Sequence, residues 1–167
     1  MKKNKKDLLQ QLNPPWITKE GYLDLTKFPI DSILKQSLSK DLKEFRSSCI
    51  TLSSMSSRNR LEAQIYLIGL FEYFSENLDK LTIIVENLSL ADTKNKKYAE
   101  LLFRELKRIK SSNSTRKYLN AILKKLSDFP LEIIEDGFNE LINNDTFSYR
   151  MKNKFKEILY YKTYSEF

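Results

Sequence analysis

Apolar residues recur at spacings of three and four along most of this chain, which is the pattern of amphipathic α-helices. The first such stretch follows Pro29 and runs from Ile33 to Leu52, and Ser37 and Ser39 leave open whether it is one helix or two. Further helical patterns cover residues 61–74, 79–88, 96–110, 115–126 and 131–142, and a last one begins near Thr146. The pattern predicts an all-α fold of about seven helices joined by short polar turns.

The most apolar stretch is residues 61–74, LEAQIYLIGLFEYF, whose apolar side chains spread around most of a helical wheel. A helix that is apolar on most sides needs neighbours on most sides, so we predict that this is the central helix. Replacing Ile65 or Leu70 by Asp should then unfold the domain. Residues 47–57 contain six serines, and we expect them to fray the preceding helix and form a link.

These helices predict one domain over residues 30–167, either a compact multi-helix bundle or a short stack of α-hairpins. Residues 1–29 precede it as a basic arm and an extended lead-in, because Pro14 and Pro15 stop any helix there.

Two helical patterns near the end of the chain are related by a shift of 33 residues. Tyr118, Ile122 and Leu126 map onto Met151, Phe155 and Leu159. Over residues 96–161 this spacing resembles HEAT and armadillo α-hairpin repeats, with Asp145 and Arg150 at two of the positions such repeats conserve. The rest of that pattern is missing. The resemblance implies a solenoid that binds other proteins.

Composition limits the chemistry that this protein can perform. The chain of 167 residues has no histidine, which removes Ser-His-Asp and Cys-His nucleophilic systems and nearly all zinc sites. Its three glycines are isolated, so no phosphate-binding loop is present, and we predict no cofactor. The one cysteine, Cys49, lies at an apolar helical position and is predicted to pack in the core.

The same features predict a location. A single cysteine fits a reducing compartment, and no apolar segment follows the basic start, so no signal peptide is expected. Residues 61–74 are too short to span a bilayer. We therefore expect a cytoplasmic protein without a membrane partner.

Acidic residues are concentrated between Asp128 and Asp145, where six acids occur without a base. Four of them lie on neighbouring faces of one predicted helix: Glu132, Glu135, Asp136 and Glu140. A carboxylate-bound magnesium ion is one interpretation, which would make the protein a metal-dependent enzyme. A solvated acidic face is the interpretation that we prefer, and we predict neither a metal site nor catalytic residues.

Basic residues are concentrated just before this acidic stretch. Between Lys94 and Lys125 there are eleven basic and two acidic residues, a net charge of +9, in a chain whose net charge is +7. The outline of residues 96–126 is that of a helix-turn-helix, so a nucleic-acid-binding surface is one interpretation. Its residues would be Lys97, Arg104, Lys107, Arg108, Arg116, Lys117, Asn120 and Lys124. The competing interpretation is a solvated face that pairs with nearby acids.

Aromatic residues near both ends are candidates for a protein interface, because tyrosine and tryptophan anchor many binding surfaces. They are Trp16, Tyr160, Tyr161 and Tyr164. The sequence thus favours a non-enzymatic interaction or adaptor module with a protein partner or a second copy of itself. A nucleic-acid-binding protein is the alternative, and a carboxylate-metal enzyme comes third.

Overall fold

A computed structural model describes residues 30–58, 60–89 and 92–165 of the chain. All regular structure in these ranges is helical, which confirms the predicted all-α fold. The helices are α1 Ile30–Gln36, α2 Leu42–Ser57, α3 Leu61–Tyr73, α4 Leu78–Asn87, α5 Lys96–Arg108, α6 Arg116–Leu126, α7 Leu131–Asn143 and α8 Tyr149–Ser165, with a 3₁₀ helix at Asp92–Lys94. The predicted arm, with Trp16, lies outside the described residues.

The first predicted helix is two helices, α1 and α2, because polar side chains end one and begin the other. The Ser37 hydroxyl donates a 2.7 Å hydrogen bond to the Leu34 carbonyl as α1 ends. The Asp41 carboxylate then accepts from the backbone N–H groups of Lys43 and Glu44, at 2.7 and 3.2 Å, and caps α2.

The serine-rich stretch is helical to its end, so the prediction of a frayed link over residues 47–57 is wrong. Ser48, Ser53 and Ser56 are buried, and their small side chains allow close packing of α2. The Ser48 hydroxyl donates to the Phe45 carbonyl at 2.7 Å, so its burial leaves no donor unsatisfied.

The prediction that residues 61–74 form the central helix is also wrong, because α2 and α4 cover α3 on one side. α3 buries Ala63, Leu67, Leu70 and Phe71, whereas Ile65 is 61% exposed. The central helix is α4, which packs against α2, α3 and α6 and buries every side chain from residue 80 to residue 85.

A lysine occupies this central helix. Lys80 is only 5% exposed, and its Nζ donates to the Ser39 carbonyl at 2.6 Å. The same Nζ lies 4.7 Å from the ring centroid of Phe45 and 3.9 Å from that of Phe74, within the range of cation–π attraction. Burial lowers the pKa of Lys80, because removal from water disfavours the charged ammonium.

The second half of the molecule is joined by aromatic contacts among α5, α7 and α8. Phe138 of α7 lies between Phe103 and Phe155, with centroid distances of 5.1 and 5.6 Å. Phe103 packs so closely on α7 that a Cβ at position 137 would overlap its ring, which is why glycine occupies that position. Contacts of α6 with α4 and α5 join this half to the first.

Two substitutions on α3 test this arrangement. Leu70→Asp places a carboxylate at a position that is 3% exposed, so we expect the domain to unfold. Ile65→Asp should change the free energy of unfolding by only about 0.5 kcal/mol, as at other surface positions. Urea denaturation followed by circular dichroism measures both, and unfolding of the Ile65→Asp variant would contradict the described packing.

Candidate interaction groove between helices α6 and α8

Helix α6 has one buried face and one basic exposed face. Its buried residues are Tyr118, Leu119, Ile122, Leu123 and Leu126. Arg116, Lys117, Asn120 and Lys124 are exposed on the other side, and the helix contains no acidic residue. The turn before it is held by hydroxyl groups, since Thr115 Oγ1 donates to the Lys110 carbonyl at 2.8 Å.

Helix α8 runs beside α6 and in the same direction, because the first turns of both helices line one cavity and their later turns line another. Met151 and Phe155 are its buried side chains. One hydrogen bond links the two helices, from Lys154 Nζ to Asn120 Oδ1 at 3.2 Å. These two residues line both cavities, which therefore form one continuous open groove, named the α6–α8 groove below.

The two halves of the α6–α8 groove differ in chemistry. The polar half, about 370 Å³, lies at the helix N-termini and is lined by Ser112, Asn113, Arg116, Ser148, Arg150 and Lys154 among others. The apolar half, about 600 Å³, lies towards the C-termini and includes Leu123, Glu157, Ile158, Tyr161 and Lys162. The groove therefore has cations in both halves, whereas its hydrophobic floor and its one acidic residue lie only in the apolar half.

Three tyrosines that the sequence predicts as interface residues lie together beside the apolar half. Tyr160, Tyr161 and Tyr164 are 60%, 69% and 65% exposed. Their rings contact one another, with centroid distances of 4.5 Å between Tyr160 and Tyr164 and 5.9 Å between Tyr160 and Tyr161. They form a compact aromatic surface at the end of α8.

The predicted nucleic-acid residues are spread over several surfaces. Arg116 and Asn120 of α6 line the α6–α8 groove. Lys117 and Lys124 of the same helix line a separate cavity, together with Glu86 and Asp128. Two of those on α5 contact acids of neighbouring helices: Arg104 pairs with Glu72 at 2.7 Å and Lys107 with Glu140 at 2.6 Å. Lys97 is exposed, elsewhere on α5.

Arg108, the remaining predicted residue, belongs to a partly buried network. Its guanidinium donates two hydrogen bonds to the Glu105 carboxylate, at 3.0 and 2.6 Å. The Tyr118 hydroxyl donates to the same carboxylate at 2.8 Å, and Glu105 is only 5% exposed. Burial, with the negative charge of Glu105, raises the pKa of Tyr118. This network joins α5 to α6.

Groups with catalytic or metal-binding chemistry are few in the described part of the chain. No three carboxylate or thiol side chains there are grouped so that they could hold a metal ion. Glu132, Asp136 and Glu140 instead face Lys96, Arg104 and Lys107 across a groove between α5 and α7. Cys49 is fully buried, and burial raises the pKa of its thiol to about 12, so it stays protonated near neutral pH.

The groove is lined from α8 by Arg150, Lys154, Ile158 and Lys162, none of which is among the predicted site residues. Their spacing of four residues places them on one side of a helix, and this spacing is the feature of the sequence that indicates a shared face. What the spacing does not show is that α6 lies opposite that side.

Comparisons with protein-family models, curated proteins and solved structures find no match to this chain. None of the helices described here is long and apolar enough to cross a membrane.

Substitutions of Arg108 and Arg104 test which basic residues of α5 stabilise the fold. Arg108→Gln should lower the free energy of unfolding by about 2 kcal/mol, because the buried Glu105 carboxylate loses its cationic partner. Arg104→Gln removes an exposed ion pair and should cost less than about 1 kcal/mol. Urea titrations of the two variants measure the difference, and equal values would contradict a structural role that is special to Arg108.

Proposed function

We propose that this protein is a non-enzymatic, cytoplasmic interaction module that binds a partner protein in the α6–α8 groove. The observation that carries the proposal is the aromatic surface of Tyr160, Tyr161 and Tyr164 beside the apolar half of that groove. Tyrosine anchors binding surfaces because its ring removes much apolar area from water while its hydroxyl keeps a hydrogen bond.

The groove places apolar and polar side chains next to the tyrosine anchors. Leu123 and Ile158 form an apolar floor in reach of Tyr161, and Lys154 and Lys162 provide polar groups at the sides. A hydrophobic centre with a polar rim is the usual composition of a protein interface.

The chemistry of the chain supports a binding role over catalysis. The sequence has no histidine, which is the side chain that most often performs general acid–base catalysis near pH 7. The only thiol, that of Cys49, is buried and protonated. One cysteine also permits no disulfide within the chain, in keeping with a cytoplasmic location.

Tyr161 and Tyr73 provide a matched pair for the test, because both are 69% exposed but Tyr73 lies on α3, away from the groove. A photo-crosslinking amino acid is placed at either position in the full chain, and adducts formed in the producing cells are identified by mass spectrometry. We expect a defined protein adduct, either a partner or a second copy, from position 161 and none from position 73.

Affinity for the identified protein is then measured with purified components. Tyr161→Ala should weaken binding about tenfold or more, as truncation of an interface anchor does, and Tyr73→Ala should not. Equal labelling at the two positions, no protein adduct at position 161, or an unchanged Kd for Tyr161→Ala would overturn the proposal.

Nucleic-acid binding is the second candidate, supported by the exposed Arg116, Lys117 and Lys124 on a helix without acidic residues. The test is titration with random duplex DNA and RNA at low and moderate salt. Binding that involves several phosphates weakens steeply with salt, and Lys117→Glu with Lys124→Glu should weaken it about tenfold or more. Binding that does not depend on salt, or that is unchanged in this double variant, would reject this candidate.

A further inference from the structure

We infer that the segment bound in the α6–α8 groove is short, acidic at one end and apolar at the other. This inference rests on the proposed function, because it names the chemistry of the partner for the same site.

The polar half of the groove is cationic and is not neutralised by the described residues. Arg116, Arg150 and Lys154 line it, and no acidic residue does. Two of these cations contact neutral amides: Arg116 Nη2 lies 2.7 Å from Asn113 Oδ1, and Lys154 Nζ contacts Asn120 as described. A ligand with carboxylates would supply the opposite charge.

The helix ends point to the same conclusion. A helix N-terminus carries a partial positive charge and is stabilised by acidic residues. Both α6 and α8 have basic residues and no acid in the first turn, and these two turns meet in the polar half. Helix α5 also begins with two lysines and no acid. What distinguishes α6 and α8 is that their two basic first turns meet in one cavity, which favours an anionic ligand there.

The groove between α5 and α7 differs from the α6–α8 groove in its balance of charges. In the groove between α5 and α7, Lys96, Arg104 and Lys107 face Glu132, Asp136 and Glu140, so the charges compensate one another. The α6–α8 groove has a similar number of cations, and its one acidic lining residue is Glu157, in the apolar half.

The position of Glu157 favours a protein segment over a nucleic acid. A polyanion lying along the whole groove would bring phosphates next to this carboxylate, which partly offsets Lys154 and Lys162 in the apolar half, and over the side chains of Leu123 and Ile158. A segment with carboxylates only at one end avoids the repulsion and buries its apolar side chains on that floor. The bound segment therefore has a single orientation in the groove, with its acidic end between the N-termini of α6 and α8.

The experiment uses three fluorescein-labelled peptides of about 14 residues, a length that makes roughly four helical turns. One carries glutamates in one half and leucines in the other, the second has glutamine for each glutamate, and the third has lysine. Fluorescence anisotropy with the full chain should show binding of the glutamate peptide, affinity about tenfold lower for the glutamine peptide, and none for the lysine peptide.

Two protein variants separate local complementarity from net charge. Arg116→Glu with Arg150→Glu should weaken the glutamate peptide about tenfold or more, and it should still fold because acids suit helix N-termini. Lys35→Glu with Lys40→Glu makes the same change in net charge at exposed positions outside the groove and should leave binding unchanged. Thermal melting checks the fold of both.

Equal affinity for the glutamate and glutamine peptides, or an equal loss in both protein variants, would overturn the inference. Binding of a labelled oligouridylate that Arg116→Glu with Arg150→Glu abolishes, with no binding of the glutamate peptide, would also overturn it in favour of a nucleic acid. A protein adduct at position 161 with no preference for acidic peptides would reject this inference while the proposed function stands.

Discussion

A charged side chain at the centre of the helical assembly constrains everything around it. Lys80 lies on α4, is itself buried and is followed by five buried side chains, so its ammonium group needs substitutes for water inside the protein. The substitutes are the carbonyl of Ser39 between α1 and α2, the ring of Phe45 on α2 and the ring of Phe74 after α3. One side chain therefore fixes three parts of the chain relative to α4, and α6 packs on the same helix.

The same packing produces one surface on which basic side chains face acidic ones and another on which most basic side chains do not. Contact between α5 and α7 brings the basic and acidic stretches of the sequence face to face, as the pair of Lys107 and Glu140 shows. Helix α6 packs on α4 and α5, and the side that carries Arg116 and Asn120 faces α8 across the α6–α8 groove. The charged residues of α8 are five bases and one acid. A strongly basic segment of sequence thus yields two surfaces with different electrostatic character, and only one of them is suited to binding an anion.

Helix positions could be predicted from the sequence because spacing alone encodes amphipathicity. Which helix lies at the centre could not be predicted, since α3 is more apolar than α4 but leaves Leu61, Ile65 and Tyr73 exposed. The prediction of a frayed link was wrong for the serines of α2. Serine favours helix ends when exposed, but it packs well between helices when its hydroxyl donates a hydrogen bond to a carbonyl of the preceding turn. For the candidate site, the tyrosines and the α6 cations could be chosen from residue type, whereas the α8 side of the groove depends on tertiary packing.

Burial along α8 decreases from its start to its end. Its buried side chains, Met151 and Phe155, lie in the first half, and from residue 156 to residue 164 every side chain is exposed or only partly buried. The free energy of local opening should therefore decline along the helix, and we expect backbone amides near Tyr161 to exchange with solvent faster than those near Phe155. A ligand on the apolar half would bind the part of α8 that has the most conformational entropy to lose. Its affinity would therefore depend on the intrinsic stability of that last part of the helix.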